Sequence, residues 1–206
     1  MDAIKNTEYS IKFVPYVART YVQLSGFYFD TDQPQKAKAV LDQALSNANK
    51  DEDRGYLSLS QGYYSMVKKN YRAAEKYWSD AMIYMGSPTK PDYDYALLYR
   101  YVMLCKLGNS TAADSLINFR LKTRGINAWP EPILLFFAGS IQEKDLIKLA
   151  RRNWQKCEVF FFLGKKNLIN GNLAESKKYF EESVNTGVTS TYEYDMAKAE
   201  LSRAFQ

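Results

Sequence analysis

The chain has no histidine. Imidazole is the usual proton carrier near neutral pH and the commonest metal ligand, so its absence removes both roles at once. Cysteine is nearly as scarce. Cys105 and Cys157 are far apart in sequence and form no ligand pair, and their spacing does not give their redox state. No apolar run is long enough to span a membrane, so no integral membrane segment is expected. Residues 1–9 are polar and lack a signal-peptide pattern. Neither charge dominates. Lys and Arg number 28 against 23 Asp and Glu, and the basic residues are scattered, which gives no footprint for nucleic acid. Glycine-rich phosphate loops and a nucleophile elbow are also missing. No metal and no cofactor are expected.

What is present argues against disorder. Apolar residues make up 46% of the 206 positions, enough for one ordinary core, and the whole chain reads as a single helical domain. Seventeen tyrosines and eleven phenylalanines are many for this length. Short packed helices use such side chains as wedges, and a binding groove would use them as anchors.

The pattern centres on residues 37–81. Ala37 and Ala74 are each followed one turn later by a large apolar residue, Leu41 or Trp78, and then by another alanine, Ala44 or Ala81. A small residue, Ser25 or Gly62, stands one turn-and-helix upstream of each. Small residues let two helices approach closely, and the large one fills the gap beside them. Each such pair leaves an apolar face that the next pair covers. This small–large–small pattern resembles the tetratricopeptide repeat.

Along the chain, residues 1–12 are polar, and are expected either to stay loose or to cap the first helix. Residues 14–29 read as a helix with Tyr21, Leu24, Ser25 and Tyr28 on one face and Pro15 in its first turn. Pro34 opens the next helix, which runs to about Asn47. The second pair spans 54–67 and 71–85, with Tyr71, Ala74, Trp78 and Ala81 as a buried stripe. The break at 86–91 precedes a weaker third pair. Its helices are 92–107, carrying Leu97, Tyr101 and Leu104, and 112–121, with Ala113 and Ile117 in the small and large positions. Residues 122–132 read as a loop that Trp129-Pro130 closes onto the core. A short apolar helix at 133–138 and a second at 144–152, opened by a capping box at Ser140 and Glu143, form an inserted pair. The last pair carries Phe160, Leu163, Gly164 and Asn167, then Ser176, Phe180 and Ser183. A final helix opens with another capping-box spacing at Ser190 and Glu193, with Tyr194, Ala197 and Leu201 inside.

The resemblance implies an all-α fold. Antiparallel helix pairs at about 18–48, 55–86, 94–121 and 157–187 would stack as a short right-handed superhelix. Inserted helices at 133–152 would interrupt it, and a capping helix at 191–204 would close it. It also implies that the first helix of each pair lines a concave groove. The groove positions are then Arg19, Val22 and Phe29; Tyr56, Leu59, Tyr63 and Met66; Tyr95, Leu98 and Val102; and Phe161, Lys165 and Leu168. Such a surface is apolar and aromatic, suited to a protein or peptide segment. Family members that clamp chaperone tails use Lys and Asn where this chain has Val22, Gly26, Leu59 and Tyr63, so the resemblance does not extend to that clamp. The other reading is that the inserted helices or a second subunit fill the groove, making a homodimer or another self-assembling or regulatory repeat protein.

Catalytic readings are weak. Asp51 with Asp53, and Glu181 with Glu182, read as solvated helix faces or helix starts, and the adjacent pair points in two directions. Cys105 lies in an apolar helical run and reads as a structural or groove-lining thiol. Basic doublets at Lys68-Lys69, Arg151-Arg152, Lys165-Lys166 and Lys177-Lys178 read as solvated surface, or as a stripe for an acidic partner.

Residues 160–166, Gly171-Asn172-Leu173, Phe180 and the 193–201 helix resemble the C-terminal repeat and cap of bacterial envelope lipoproteins. These are tetratricopeptide adaptors that bring a periplasmic protease to cell-wall hydrolases. Residues 133–152 resemble that family's spacer. No lipid-attachment cysteine stands near residue 1, a departure from the family's pattern, and an anchor on the native chain is left open. The resemblance implies a dimeric scaffold that is periplasmic or held at the outer membrane. Without it, a cytoplasmic scaffold is the expectation.

Overall fold

The computed structural model describes residues 2–13, 16–31, 33–87, 91–123 and 128–204. All secondary structure among them is helical. The chain divides into two compact units, residues 1–96 and 97–206.

The first unit holds α1 (Asp2–Phe13), α2 (Ala18–Asp30), α3 (Pro34–Asn47), α4 (Asp51–Val67), α5 (Tyr71–Met85) and residues 91–96 of α6 (Pro91–Lys106). The N-terminal residues form a full helix. Ile4 and Ile11 of α1 pack on a cluster of Leu24, Tyr28 and Ala37, and the Tyr28 hydroxyl donates to Glu8. The helix start expected at Val14 and Pro15 lies outside the described residues, and α2 is described from Ala18.

The α4–α5 pair shows how a small residue sets the spacing. Gly62 faces Trp78, while Gly55 faces Ala81 and Met85, so the two helices run in opposite directions. A methyl group built on Gly62 would lie 2.2 Å from the indole nitrogen of Trp78. The indole is tethered there, because its Nε1–H donates to the Leu59 carbonyl at 3.2 Å. Ala74, Trp78 and Ala81 are buried, as their spacing predicts, whereas Tyr71 is only half-buried. The turn before α5 is closed by Asn70, whose Oδ1 accepts from Ala73 N at 3.3 Å. Asn109 repeats this before α7 (Ser110–Lys122), accepting from Ala112 N at 3.3 Å. Both are N-caps that satisfy a donor left open at a helix start.

The second unit holds the rest of α6, then α7, α8 (Glu131–Phe137), α9 (Glu143–Leu149), α10 (Asn153–Ile169), α11 (Leu173–Asn185) and α12 (Tyr192–Ala204). α10 and α11 repeat the α4–α5 arrangement with different chemistry. Gly164 faces Phe180, and a methyl there would lie 2.6 Å from the ring. The alanine positions of α5 are taken by Ser176 and Ser183. Their hydroxyls are buried and donate to backbone carbonyls of α10, Ser176 to Gly164 and Ser183 to Cys157, each at 2.9 Å. Gly171 makes the tight turn between the two helices at φ +79°, a backbone region that L side chains disfavour.

Two helices differ from expectation, one in its start and one in its face. α9 begins at Glu143 after Gln142, with no side-chain cap, and Glu143 instead accepts from the Tyr179 hydroxyl. The real capping interaction lies at α10, where Gln155 Oε1 accepts from the backbone of Arg151 and Arg152 at 3.1 and 3.0 Å. α12 is rotated from its expected face. Tyr194 and Leu201 are half-buried, and the inner face is Glu193, Met196, Ala197 and Glu200. A polarity rule puts glutamates outside. Here Tyr99 and Lys165 wait inside for them.

Gly62→Ala is expected to lower stability by about 1–3 kcal/mol, the usual cost of overpacking a filled core. Gly164→Ala is expected to act in the same direction. Urea unfolding followed by tryptophan fluorescence and circular dichroism measures both. A Gly62→Ala chain with an unshifted transition would refute the close approach.

Candidate functional site

The first helices bring several groove positions together within the first unit. α2 and α4 are in contact. Across them the Arg19 guanidinium lies 5.6 Å from the centroid of the Tyr56 ring, and the Phe29 and Tyr63 rings are 5.8 Å apart. Tyr64 joins this aromatic group at 4.8 Å from Phe29 and 4.7 Å from Tyr63. Burial pushes the Tyr56 phenol pKa up; Asp92 adds to that shift and Arg19 opposes it.

Most of the expected groove is closed. Leu59, Tyr63, Met66, Leu98, Val102, Phe161 and Lys165 are buried, as is Val22, so they form core rather than a presented surface. Tyr63, expected in the groove, is 2% exposed. Arg19 is exposed, while Phe29, Tyr56, Tyr95 and Leu168 are half-buried. The cause is visible locally. Tyr63 is shut in by Phe29 and Tyr64, and Phe161 lies against Phe162 and Phe180.

Lys165 shows the correction most sharply. It was expected in a groove or in a solvated basic doublet. Its ammonium instead pairs with Glu200 of α12 at 2.5 Å, both side chains at most 3% exposed, and lies 5.6 Å from the Phe161 ring centroid. Two more carboxylates are buried in the second unit. Glu158 accepts from the Trp129 indole, which brings the 128–130 turn onto α10, and Glu193 accepts from the Tyr99 hydroxyl. Burial raises the Glu193 pKa to about 7, against the opposing effect of the Tyr99 bond. Glu193 stands in a capping-box spacing with Ser190, but nothing in the sequence places either glutamate inside, because glutamate on a helix is normally solvent-facing.

No family model matches the chain. No curated protein matches it either. The residues themselves therefore carry the functional argument.

The remaining chemical candidates are ordinary surface or structure. Asp51 pairs with Arg54 at 3.3 Å, and Glu181 lies 3.9 Å from Lys177; Asp51, Glu181 and Lys177 are exposed and Arg54 is half-buried. Glu182 borders a cavity of about 440 Å³ with Lys156 and Phe160. Burial pushes the Cys105 thiol pKa up, the opposite of what an activated thiolate needs. Cys157 is fully buried, with Sγ 3.4 Å from Ser183 Oγ and 3.3 Å from Thr191 Oγ1, and both cysteines are free thiols. Among the described residues no cluster of three or more His, Cys, Asp or Glu is placed to hold a metal, and no helix is long and apolar enough to cross a membrane.

Lys165→Met is expected to cost about 3–5 kcal/mol, because it strands a buried carboxylate. The double change Lys165→Met/Glu200→Leu is expected to recover most of that loss in the same unfolding experiment. For Glu193, a folded-state pKa raised above the ordinary 4.5 means that the folded chain holds a proton the unfolded chain releases. The Glu193 contribution to stability is then fully present below about pH 4.5 and is lost as pH rises through about 7. Glu193→Gln is expected to flatten that decline, seen as a wild-type deficit relative to the variant that grows from pH 4.5 to pH 7.5 in thermal melts.

Proposed function

We propose that the protein is a non-enzymatic interaction scaffold of the tetratricopeptide type, and that its contact surface is the α2–α4 face of the first unit. The observation that carries this reading is the Arg19–Tyr56 contact. It joins an exposed guanidinium to a half-buried tyrosine on adjacent first helices, at two positions where a repeat scaffold receives its partner. Arginine and tyrosine are the residue types that most often dominate protein interfaces. The Gly62–Trp78 and Gly164–Phe180 contacts support the repeat reading, since each places a small residue against a large one across a helix pair. The resemblance of the C-terminal segments points to a partner in envelope protease or cell-wall hydrolase control.

A second reading has one observation in its favour. Leu98, Val102 and Phe161 are already covered, which suits a repeat protein whose groove is self-filled and whose role is assembly with its own copies.

Affinity purification from native cells, comparing the wild type with Arg19→Glu and Tyr56→Ser, separates the two. Arg19 is exposed and Tyr56 half-buried, so circular dichroism melts are run alongside to show that both variants remain folded at the assay temperature. The scaffold reading expects a specific partner that both variants lose by tenfold or more. If neither variant alters any partner and both abolish a dimer seen by solution mass measurement, the self-assembly reading replaces it.

A further inference from the structure

A cavity of about 310 Å³ opens in the first unit, bounded by α2, α3, α4, the turn after α4, and α5. Three of its walls are aromatic: Phe29, Tyr64 and Tyr77. Two lysines border it, Lys38 and Lys68, both exposed. The Lys68 ammonium lies 5.9 Å from the Phe29 ring centroid, and Lys38 is paired with Asp42.

Gln61 is the odd member of this lining. It is buried on α4, next to Gly62, on a helix whose buried residues are otherwise mostly apolar or small. Its Nε2 donates to Asp42 Oδ1 at 2.9 Å. A carboxylate only accepts, so this bond fixes the amide orientation and leaves Oε1 as an acceptor. Among the described residues, Gln61 Oε1 is the one buried side-chain nitrogen or oxygen with no hydrogen-bond partner. An orphaned buried acceptor is costly, and folds rarely keep one without a use.

We propose that this cavity is a binding site for one aromatic side chain that carries an N–H or O–H donor, an indole above all, presented by a protein segment with a carboxylate beside it. The ring is held by Phe29, Tyr64 and Tyr77. The donor satisfies Gln61 Oε1, and Lys68 takes the carboxylate. The volume lies at the lower end of the range for ligand pockets, about 300–1,000 Å³, and suits one large side chain rather than an extended ligand. Stacking supplies the apolar contact and the orphaned acceptor supplies selectivity, since a ring without a donor leaves Oε1 unpaired. The site shares Phe29 and Tyr64 with the α2–α4 aromatic group, but Arg19 and Tyr56 are not among its lining residues, so either proposal can fail alone.

The test is a two-dimensional amide NMR titration of the full chain with acetyl-Glu-Trp-Glu-amide. Saturable shifts are expected in the Gln61 side-chain amide and in the Lys68 backbone amide. The same peptide built with 1-methyltryptophan, which lacks the indole donor, is expected to bind about tenfold more weakly. Gln61→Leu is expected to erase the difference between the two peptides. Lys68→Glu, an exposed change that leaves the core alone, is expected to weaken the first peptide at least fivefold, and Arg19→Glu to leave it unchanged. Equal affinity for both peptides, saturable shifts confined to other residues, or no saturable shift would overturn the proposal. Free N-acetyltryptophan binding as tightly as the peptide would also overturn it, in favour of a small-molecule site.

Discussion

The close approach of two helices at a glycine is the constraint on which the rest of the fold depends. At Gly62 the indole of Trp78 occupies the space that a Cβ would fill, and its N–H is tied to the α4 backbone. That contact sets how closely α4 approaches α5, and Gly55 against Ala81 and Met85 sets their antiparallel register. The same device recurs at Gly164 and Phe180. Everything on the outer faces of these helices inherits its position from these two contacts. Tyr63 is the residue after Gly62, Tyr56 lies six residues before it, and Lys165 is the residue after Gly164.

The buried charges of the second unit follow from the same geometry. Once α10 is set against α11, its other flank presents Glu158 and Lys165 to the turn at Trp129 and to α12. A lysine left alone there would carry a heavy desolvation penalty, and the same holds for Glu200. Together they specify where α12 must sit, and Glu193 with Tyr99 adds a second point of registry. Directional, costly interactions of this kind suit a closing helix, because a purely apolar face can slide where an ion pair cannot.

The all-helical fold and the buried stripes were legible because their signals are short and local. The spacing of Ala74, Trp78 and Ala81 identifies a packed helix face, and Ser176, Phe180 and Ser183 do the same with hydroxyls in place of methyls. The groove was less legible. Position within a helix predicts that Phe29 and Tyr63 are neighbours, and they are. It cannot say whether Tyr63 faces solvent or lies under its own neighbours, since that depends on side-chain orientations across three helices. The face of α12 was misread for a related reason. Hydrophobicity ranks Tyr194 and Leu201 above Glu193 and Glu200, and only the distant partners Tyr99 and Lys165 reverse the order. Gln61 carried a readable signal, a polar residue beside the packing glycine of a buried helix, but its orphaned oxygen exists only in three dimensions.

The replacement of alanine by serine at the small positions has a thermal consequence. The α4–α5 seam is closed by methyl groups and the α10–α11 seam by hydroxyls bonded to carbonyls. Exposing apolar surface raises the heat capacity of unfolding and exposing polar surface lowers it. The serine-closed seam therefore has the flatter dependence on temperature. Cooling weakens the alanine-closed seam more, because its cohesion rests more fully on the expulsion of water.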